Sequence, residues 1–152
     1  MKKILALLIT LILSSSAVFA YDADLARRFE QFYSPFDGKT CAKALQQIPA
    51  PDFIKAIKAG EKLFVLDVRT LGETGLYGIT LKDSLAVPMG KVFTKETLDQ
   101  IPTDGKVVVI CKGGHRAMAV AMGLRQIGFK NTFVLKGGFA ALSKTLSPKT
   151  AY

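Results

Sequence analysis

A parallel α/β sheet flanked by helices, with a short helical N-terminal extension, is the fold class this chain predicts. Three observations carry that expectation. Strand-sized apolar runs at 63–67, 84–87, 107–110 and 131–135 alternate with helical patterns. Single strands that alternate with helices indicate a parallel sheet covered on both faces. The composition, 49% hydrophobic and 22% charged over 152 residues, suits one buried core and excludes a disordered or collagen-like chain.

The first twenty residues read as an export leader rather than as part of the fold. A basic Met1-Lys2-Lys3 precedes an apolar stretch from Ile4 to Leu13, and Ser14-Ser15-Ser16 leads to Ala17-Val18-Phe19-Ala20. That is the order of a secretory signal peptide, with Val18 and Ala20 at the positions a signal peptidase reads. The apolar stretch is shorter than the ~20 residues a bilayer span requires. Cleavage after Ala20 leaves 132 of the 152 residues, and the two departing lysines lower the formal charge from +9 to +7. The leader also explains part of the positive mean hydropathy of +0.28. A bacterial periplasm is the expected compartment, with no stable membrane insertion after cleavage.

Residues 21–50 read as a helical lead-in. Leu25, Phe29 and Phe32 recur on one helix face, and Ser34-Pro35 ends it. After the Asp37-Gly38 turn, Thr40 is expected to cap a second helix in which Cys41, Leu45 and Ile48 share a face. Asp52 is expected to cap a third helix carrying Phe53, Ile54 and Ile57, stopped by Gly60.

The domain proper is read over 51–146, with 147–152 as a tail. Leu63–Asp67 is a buried strand, 70–83 a Gly- and Thr-rich loop, and Ser84–Val87 a short strand ended by Pro88. A short helix follows over Lys95–Gln100, and Asp104-Gly105 turns the chain into Val107–Ile110, the most strand-like run. Apolar residues at 117, 120, 121, 124 and 127 mark a helix closed by Gly128. Another strand runs from Asn131 to Leu135, and Gly137-Gly138 opens a last helix that ends near Leu146.

In parallel sheets the functional crevice lies at the carboxyl ends of strands. At the end of the best strand stands Cys111-Lys112-Gly113-Gly114-His115-Arg116-Ala117. Two glycines allow a tight loop, and a helix starts directly after it. Such a loop turns several backbone N–H groups toward one point. The helix dipole and the cationic groups of Lys112, His115 and Arg116 also favour a thiolate there. Cys111 is therefore the candidate nucleophile. Its plain alternative is an inert cysteine ending a core strand.

These residues resemble the rhodanese family, and the resemblance extends over 50–142. Cys111, Gly114 and Arg116 fit its Cys-x-x-Gly-x-Arg loop. Leu66-Asp67-Val68-Arg69, four residues before Glu73, resembles its Asp-x-Arg…Glu element, and Leu135-Lys136-Gly137-Gly138-Phe139 resembles the Gly-Gly turn before its final helix. The middle of the chain departs from the pattern. Only Gly78-Ile79 and Ala86-Val87-Pro88 stand there, and Ala141-Leu142 replace a common tryptophan.

The resemblance implies a secreted single-domain sulfurtransferase of the thiosulfate sulfurtransferase type. Cys111 would take sulfane sulfur from a small anionic donor, thiosulfate or polysulfide, as a persulfide. It would pass the sulfur to a thiol, cyanide or a protein acceptor. Lys112, Gly113, Gly114, His115, Arg116 and Ala117 would bind the substrate. Asp67, Arg69 and Glu73 would give structural support, with Arg69 bracing Glu73 or Asp67. No metal or organic cofactor is implied. The class alternative is a non-turnover sulfane-sulfur carrier for a periplasmic partner. Cysteine phosphatases and arsenate reductases are a further rival, but their loops put five residues between Cys and Arg, and only four separate Cys111 from Arg116.

Other features have plainer readings. A single histidine, His115, excludes a histidine-rich metal site. Scattered lysines without a basic-aromatic module argue against nucleic acid. Cys41 is a packed core residue, a disulfide partner of Cys111 or a resolving thiol. The aromatic lead-in (Phe29, Phe32, Tyr33, Phe36) packs on its own domain or forms a partner or homodimer face.

Overall fold

The computed structural model describes residues 21–146, save the side chains of residues 41 and 42. The leader read over 1–20 and the tail over 147–152 lie outside the described residues.

Five strands, β1 (Gln47–Ile48), β2 (Leu63–Asp67), β3 (Ser84–Ala86), β4 (Lys106–Ile110) and β5 (Thr132–Leu135), form one sheet in the order β1-β5-β4-β2-β3. Every neighbouring pair is parallel. The central strands are hydrophobic on both sides, as a doubly covered parallel sheet requires. Leu66, Val107, Val109 and Cys111 face one core with α5 (Lys95–Leu98) and α6 (His115–Gln126). Val65, Val108 and Ile110 face the other, with α3 (Ala50–Lys58) and α7 (Gly138–Thr145). Residues of β4 thus alternate between the two cores, which is the two-residue period of a strand. Among the described residues no helix is long and apolar enough to cross a membrane.

Three local expectations need correction. The expected helix over 41–48 is only α2 (Cys41–Ala44). Gln46 takes φ 46°, and Gln47 and Ile48 become the edge strand β1 beside Val134 and Leu135. The carbonyls of Gln46 and Ile48 accept from the amides of Val134 and Lys136 at 3.0 and 2.9 Å. Cys41, Leu45 and Ile48 therefore do not share a helix face, and whether Cys41 packs or pairs lies outside the described side chains. Asp52 is not the cap of α3. Pro49 holds that position, and Asp52 sits in the first turn, where its charge complements the helix dipole.

The third correction bears on the site. The loop expected over 70–83 contains a helix, α4 (Leu71–Leu76). Thr70 Oγ1 accepts from the Glu73 amide at 3.3 Å, and Glu73 Oε2 accepts from the Thr70 amide at 2.9 Å. This reciprocal capping satisfies two backbone donors and starts a helix that propensity alone does not favour.

In the lead-in, α1 (Ala23–Tyr33) is capped by Asp22, whose carboxylate accepts from the Leu25 amide at 2.9 Å. Its apolar residues Leu25, Phe29 and Phe32 are half-buried. The aromatics contact one another, with the Phe32 and Tyr33 rings 4.9 Å apart edge to face.

Candidate active site

Cys111 directly follows β4, and Lys112, Gly113 and Gly114 carry the chain round to α6. Gly114 has φ +102°, which a side chain would oppose, and it caps the helix that His115 opens. The reversal aims two amides at one atom. Gly114 N–H donates to Cys111 Sγ at 3.1 Å and Ala117 N–H at 3.4 Å. One donor belongs to the loop and the other to the first turn of α6. Cys111 is 1% exposed, on the floor of this cradle. Lys112, Gly113 and His115 are exposed at its rim, Gly114 and Arg116 are half-buried, and Ala117 is buried.

The loop can point its amides inward because its carbonyls are satisfied elsewhere. Phe139 N–H donates to the Cys111 carbonyl at 2.8 Å, and Ala140 N–H to the Lys112 carbonyl at 3.0 Å. Both donors belong to the first turn of α7, whose free N–H groups need acceptors. Gly137 and Gly138, at φ +74° and +56°, bring that helix end against the loop.

Asp67 and Arg69 form a buried pair beneath the site. Arg69 Nη2 donates to Asp67 Oδ2 at 2.7 Å and to the Tyr77 carbonyl at 2.9 Å. Its Nε donates to Asp67 Oδ1 and Oδ2 at 3.0 Å each. The guanidinium carbon lies 3.8 Å from the Phe139 ring centroid and 5.2 Å from that of Tyr77. Its charge is thus matched by a carboxylate and by two aromatic faces. Arg69 thus ties the end of β2 to Tyr77 and to the Phe139 ring of α7.

Glu73 pairs with Arg116, not with Arg69. Arg116 Nη1 donates to Glu73 Oε2 at 2.8 Å and Nη2 to Oε1 at 2.7 Å. The fork ties α4 to the first turn of α6. The Arg116 hydrogen bonds, followed by the Thr70 amide, hold the Glu73 carboxyl far below its ordinary value of 4.5. Glu73 in turn raises the Arg116 guanidinium above its ordinary value, with a smaller contribution from the Cys111 sulfur.

A pH dependence follows from the sign of the Glu73 shift. Folding lowers this pKa, so the pair's contribution is complete above about 4.5 and is lost as the pH falls through the folded-state value. Glu73→Gln is expected to lower the thermal midpoint near neutral pH by an amount that stays constant through the mildly alkaline range. The gap from wild type narrows below the ordinary carboxylate range. A gap as wide at about pH 2.5 as at neutrality would mean that the pair does not act as described.

The structure places residues 111 to 117 round the Cys111 sulfur, adds Tyr77, which sequence reasoning passed over, and shows what Gly138 and Phe139 of the Gly-Gly turn contact. Tyr77 and Phe139 enclose Arg69, and Gly138 fits against the loop backbone. The Thr70-x-x-Glu73 spacing is a capping-box signature that could have revealed α4. Nothing local marks Tyr77 or Phe139 as neighbours of Arg69.

Comparison with known proteins supplies independent findings. The Rhodanese-like domain family model matches residues 50–145. YtwF of Bacillus subtilis, named as a sulfurtransferase, is 33% identical over 106 residues, covering 69% of this chain and 97% of its own length. MoeZ of Mycobacterium tuberculosis, named as an adenylyltransferase/sulfurtransferase, is 27% identical over 92 residues, or 60% of this chain. The chain spans 23% of the length of MoeZ. Among solved structures, a rhodanese-related protein from Thermoplasma volcanium superposes with a TM-score of 0.57 at 30% identity, covering 68% of this chain and 95% of that one.

Proposed function

The chain belongs to the rhodanese-like domain family, and we propose that it is a sulfurtransferase carrying sulfane sulfur on Cys111. The observation that supports this reading most is the Cys111 sulfur beneath the amides of Gly114 and Ala117, at the C-terminal end of β4. The sulfurtransferase names of YtwF and MoeZ agree with it.

The chemistry suits such a cradle. The Cys111 thiolate attacks the outer sulfur of thiosulfate. The sulfur–sulfur bond of the donor breaks, sulfite leaves with its electron pair, and a Cys111 persulfide anion remains. A polysulfide serves in the same way and leaves one sulfur shorter. Thiolate and persulfide are both anions, so the same N–H groups stabilise each half of the cycle. Arg116 is occupied by Glu73, which leaves Lys112 and His115 at the rim to attract the donor. Cyanide or a thiol then removes the outer sulfur. The leader read over residues 1–20 would put this reaction in the periplasm.

Intact mass after incubation with thiosulfate, and separately with polysulfide, tests the reading. One added sulfur on Cys111 together with steady thiocyanate formation from thiosulfate and cyanide is the expected result. Sulfur uptake from polysulfide without thiosulfate turnover would favour a carrier. No uptake from either donor would overturn the proposal.

A further inference from the structure

The fork between Arg116 and Glu73 joins two helices, and it also decides which groups remain for a substrate. A planar guanidinium is the side chain best shaped to grip a tetrahedral oxyanion, because its paired N–H groups match two oxygens at once. Arg116 stands in the first turn of α6, next to Ala117, whose amide donates to the Cys111 sulfur. The sulfur itself contributes to raising the guanidinium, so the charge of Arg116 reaches the cradle. Yet Nη1 and Nη2 both donate to Glu73, at 2.8 and 2.7 Å.

Glu73 is held to that task from its other side. Its Oε2 also accepts from the Thr70 amide at 2.9 Å and from the Thr70 hydroxyl at 3.0 Å. The guanidinium and these donors keep the carboxyl ionised far below its ordinary value of 4.5, so the fork persists wherever a thiol can ionise. Arg69, the other arginine near the loop, is buried against Asp67. An incoming donor meets the exposed side chains of Lys112 and His115, and neither offers a paired fork.

The two donor classes ask different things of this site. Thiosulfate ends in a sulfonate, which a free guanidinium would grip. A polysulfide carries no oxygen, and its sulfur needs only the N–H groups aimed at Sγ. We infer that Glu73 is a specificity-determining residue: by sequestering Arg116 it disfavours donors that end in a tetrahedral oxyanion and leaves the cradle to polysulfides. The inference rests on the sulfurtransferase reading and names the donor class of that same site. Glu73 acts through Arg116 and is a positioning residue.

Glu73→Gln tests this, because glutamine can still cap the Thr70 amide but leaves the guanidinium without its counter-charge. Sulfur uptake on Cys111 is timed by intact mass at constant ionic strength, with thiosulfate and with polysulfide as donors. Sodium sulfate, which transfers no sulfur, is added as a competitor. In Glu73→Gln the thiosulfate KM is expected to fall about tenfold, the scale of one charge-assisted hydrogen bond. The polysulfide KM is expected to move less than about twofold, since no oxyanion is involved. Sulfate should inhibit polysulfide uptake about tenfold more strongly than in the wild type. A merely loosened fold would not tighten sulfate binding. Glu73→Gln/Arg116→Gln is expected to lose both gains, because the freed fork is then absent. Where Glu73→Gln does not fold, Glu73→Asp, one methylene too short for the fork, carries the comparison with smaller changes of the same sign. Unchanged thiosulfate KM and sulfate inhibition overturn the inference, as do gains that survive in the double variant. A wild type with a lower KM for thiosulfate than for polysulfide also overturns it. A chain that loads sulfur from neither donor fails at the sulfurtransferase reading, and the role of Glu73 falls with it. A chain that loads from both, with no change on substitution, removes the role of Glu73 alone.

Discussion

Cys111→Ser is expected to abolish sulfur uptake and leave the fold in place. Serine is close to cysteine in shape, and its oxygen can still accept from the Gly114 and Ala117 amides that now reach the sulfur at 3.1 and 3.4 Å. Those amides can stabilise an anion, but a hydroxyl supplies almost none at neutral pH and a thiol does. Thiocyanate formation should fall by at least about a thousandfold, the scale on which loss of a nucleophile acts. No sulfur should be added by intact mass. The thermal midpoint should stay within about 5 °C of wild type, the shift that roughly 1 kcal/mol causes in a domain of this size. A variant that still accumulates sulfur would move the chemistry to the other cysteine in the chain, Cys41.

Gly138→Ala has a comparably large expected effect through geometry alone. A Cβ at this position would lie 2.2 Å from the Cys111 carbonyl oxygen and 2.9 Å from both Gly114 N and the Lys112 carbonyl carbon. All three are backbone atoms of the Cys111 loop, so no side chain can swing aside to relieve the clash. The φ of +56° adds a penalty that any side chain meets there. Together these should cost about 3 kcal/mol or more. Relief would require α7 to withdraw, breaking the bonds from Phe139 and Ala140 that hold the loop carbonyls. The amides would then lose their aim at the sulfur, and a displacement of about 1 Å costs on the order of a hundredfold in rate. Urea unfolding and thiocyanate assays of Gly138→Ala should both show the loss. Gly72→Ala is the control, because a Cβ there meets nothing within 4 Å and should leave both nearly unchanged. A Gly138→Ala protein as stable and active as wild type would mean that the contact between α7 and the loop does not shape the site.

The two variants divide the site into a part that local sequence reveals and a part that it does not. A cysteine at the end of a four-residue run of β-branched side chains, followed by Gly-Gly and a helix, is a local statement. Strand, turn and helix are each set by near neighbours, so the position of Cys111 was legible. The same holds for β2, β3, β4 and β5, whose apolar runs exceed what any loop would carry. The missed elements lack such signals. β1 is two residues long and exists because the Val134 and Lys136 amides find acceptors in Gln46 and Ile48. Its partner strand lies more than eighty residues away, beyond any local propensity. α4 carries two glycines and exposed leucines, so periodicity gave no sign of it. It is held by its capping box and by a fork to Arg116 from another helix.

By itself, then, the sequence determined the fold class and the tight loop that aims amides at Cys111, because each follows from bonding between near neighbours. Only the tertiary structure decided how the surrounding charges are shared. Two arginines and two carboxylates stood near one another in the reading, and pairing Arg69 with Glu73 was as plausible along the chain as pairing it with Asp67. In the fold, Arg69 is enclosed by Asp67, Tyr77 and Phe139, while Glu73 reaches Arg116. The physical reason is that an ion pair forms where burial and geometry together satisfy both partners, and that geometry comes from the packing of α4, α6 and α7 round one loop. That sharing leaves Lys112 and Lys136 without carboxylate partners among the described residues.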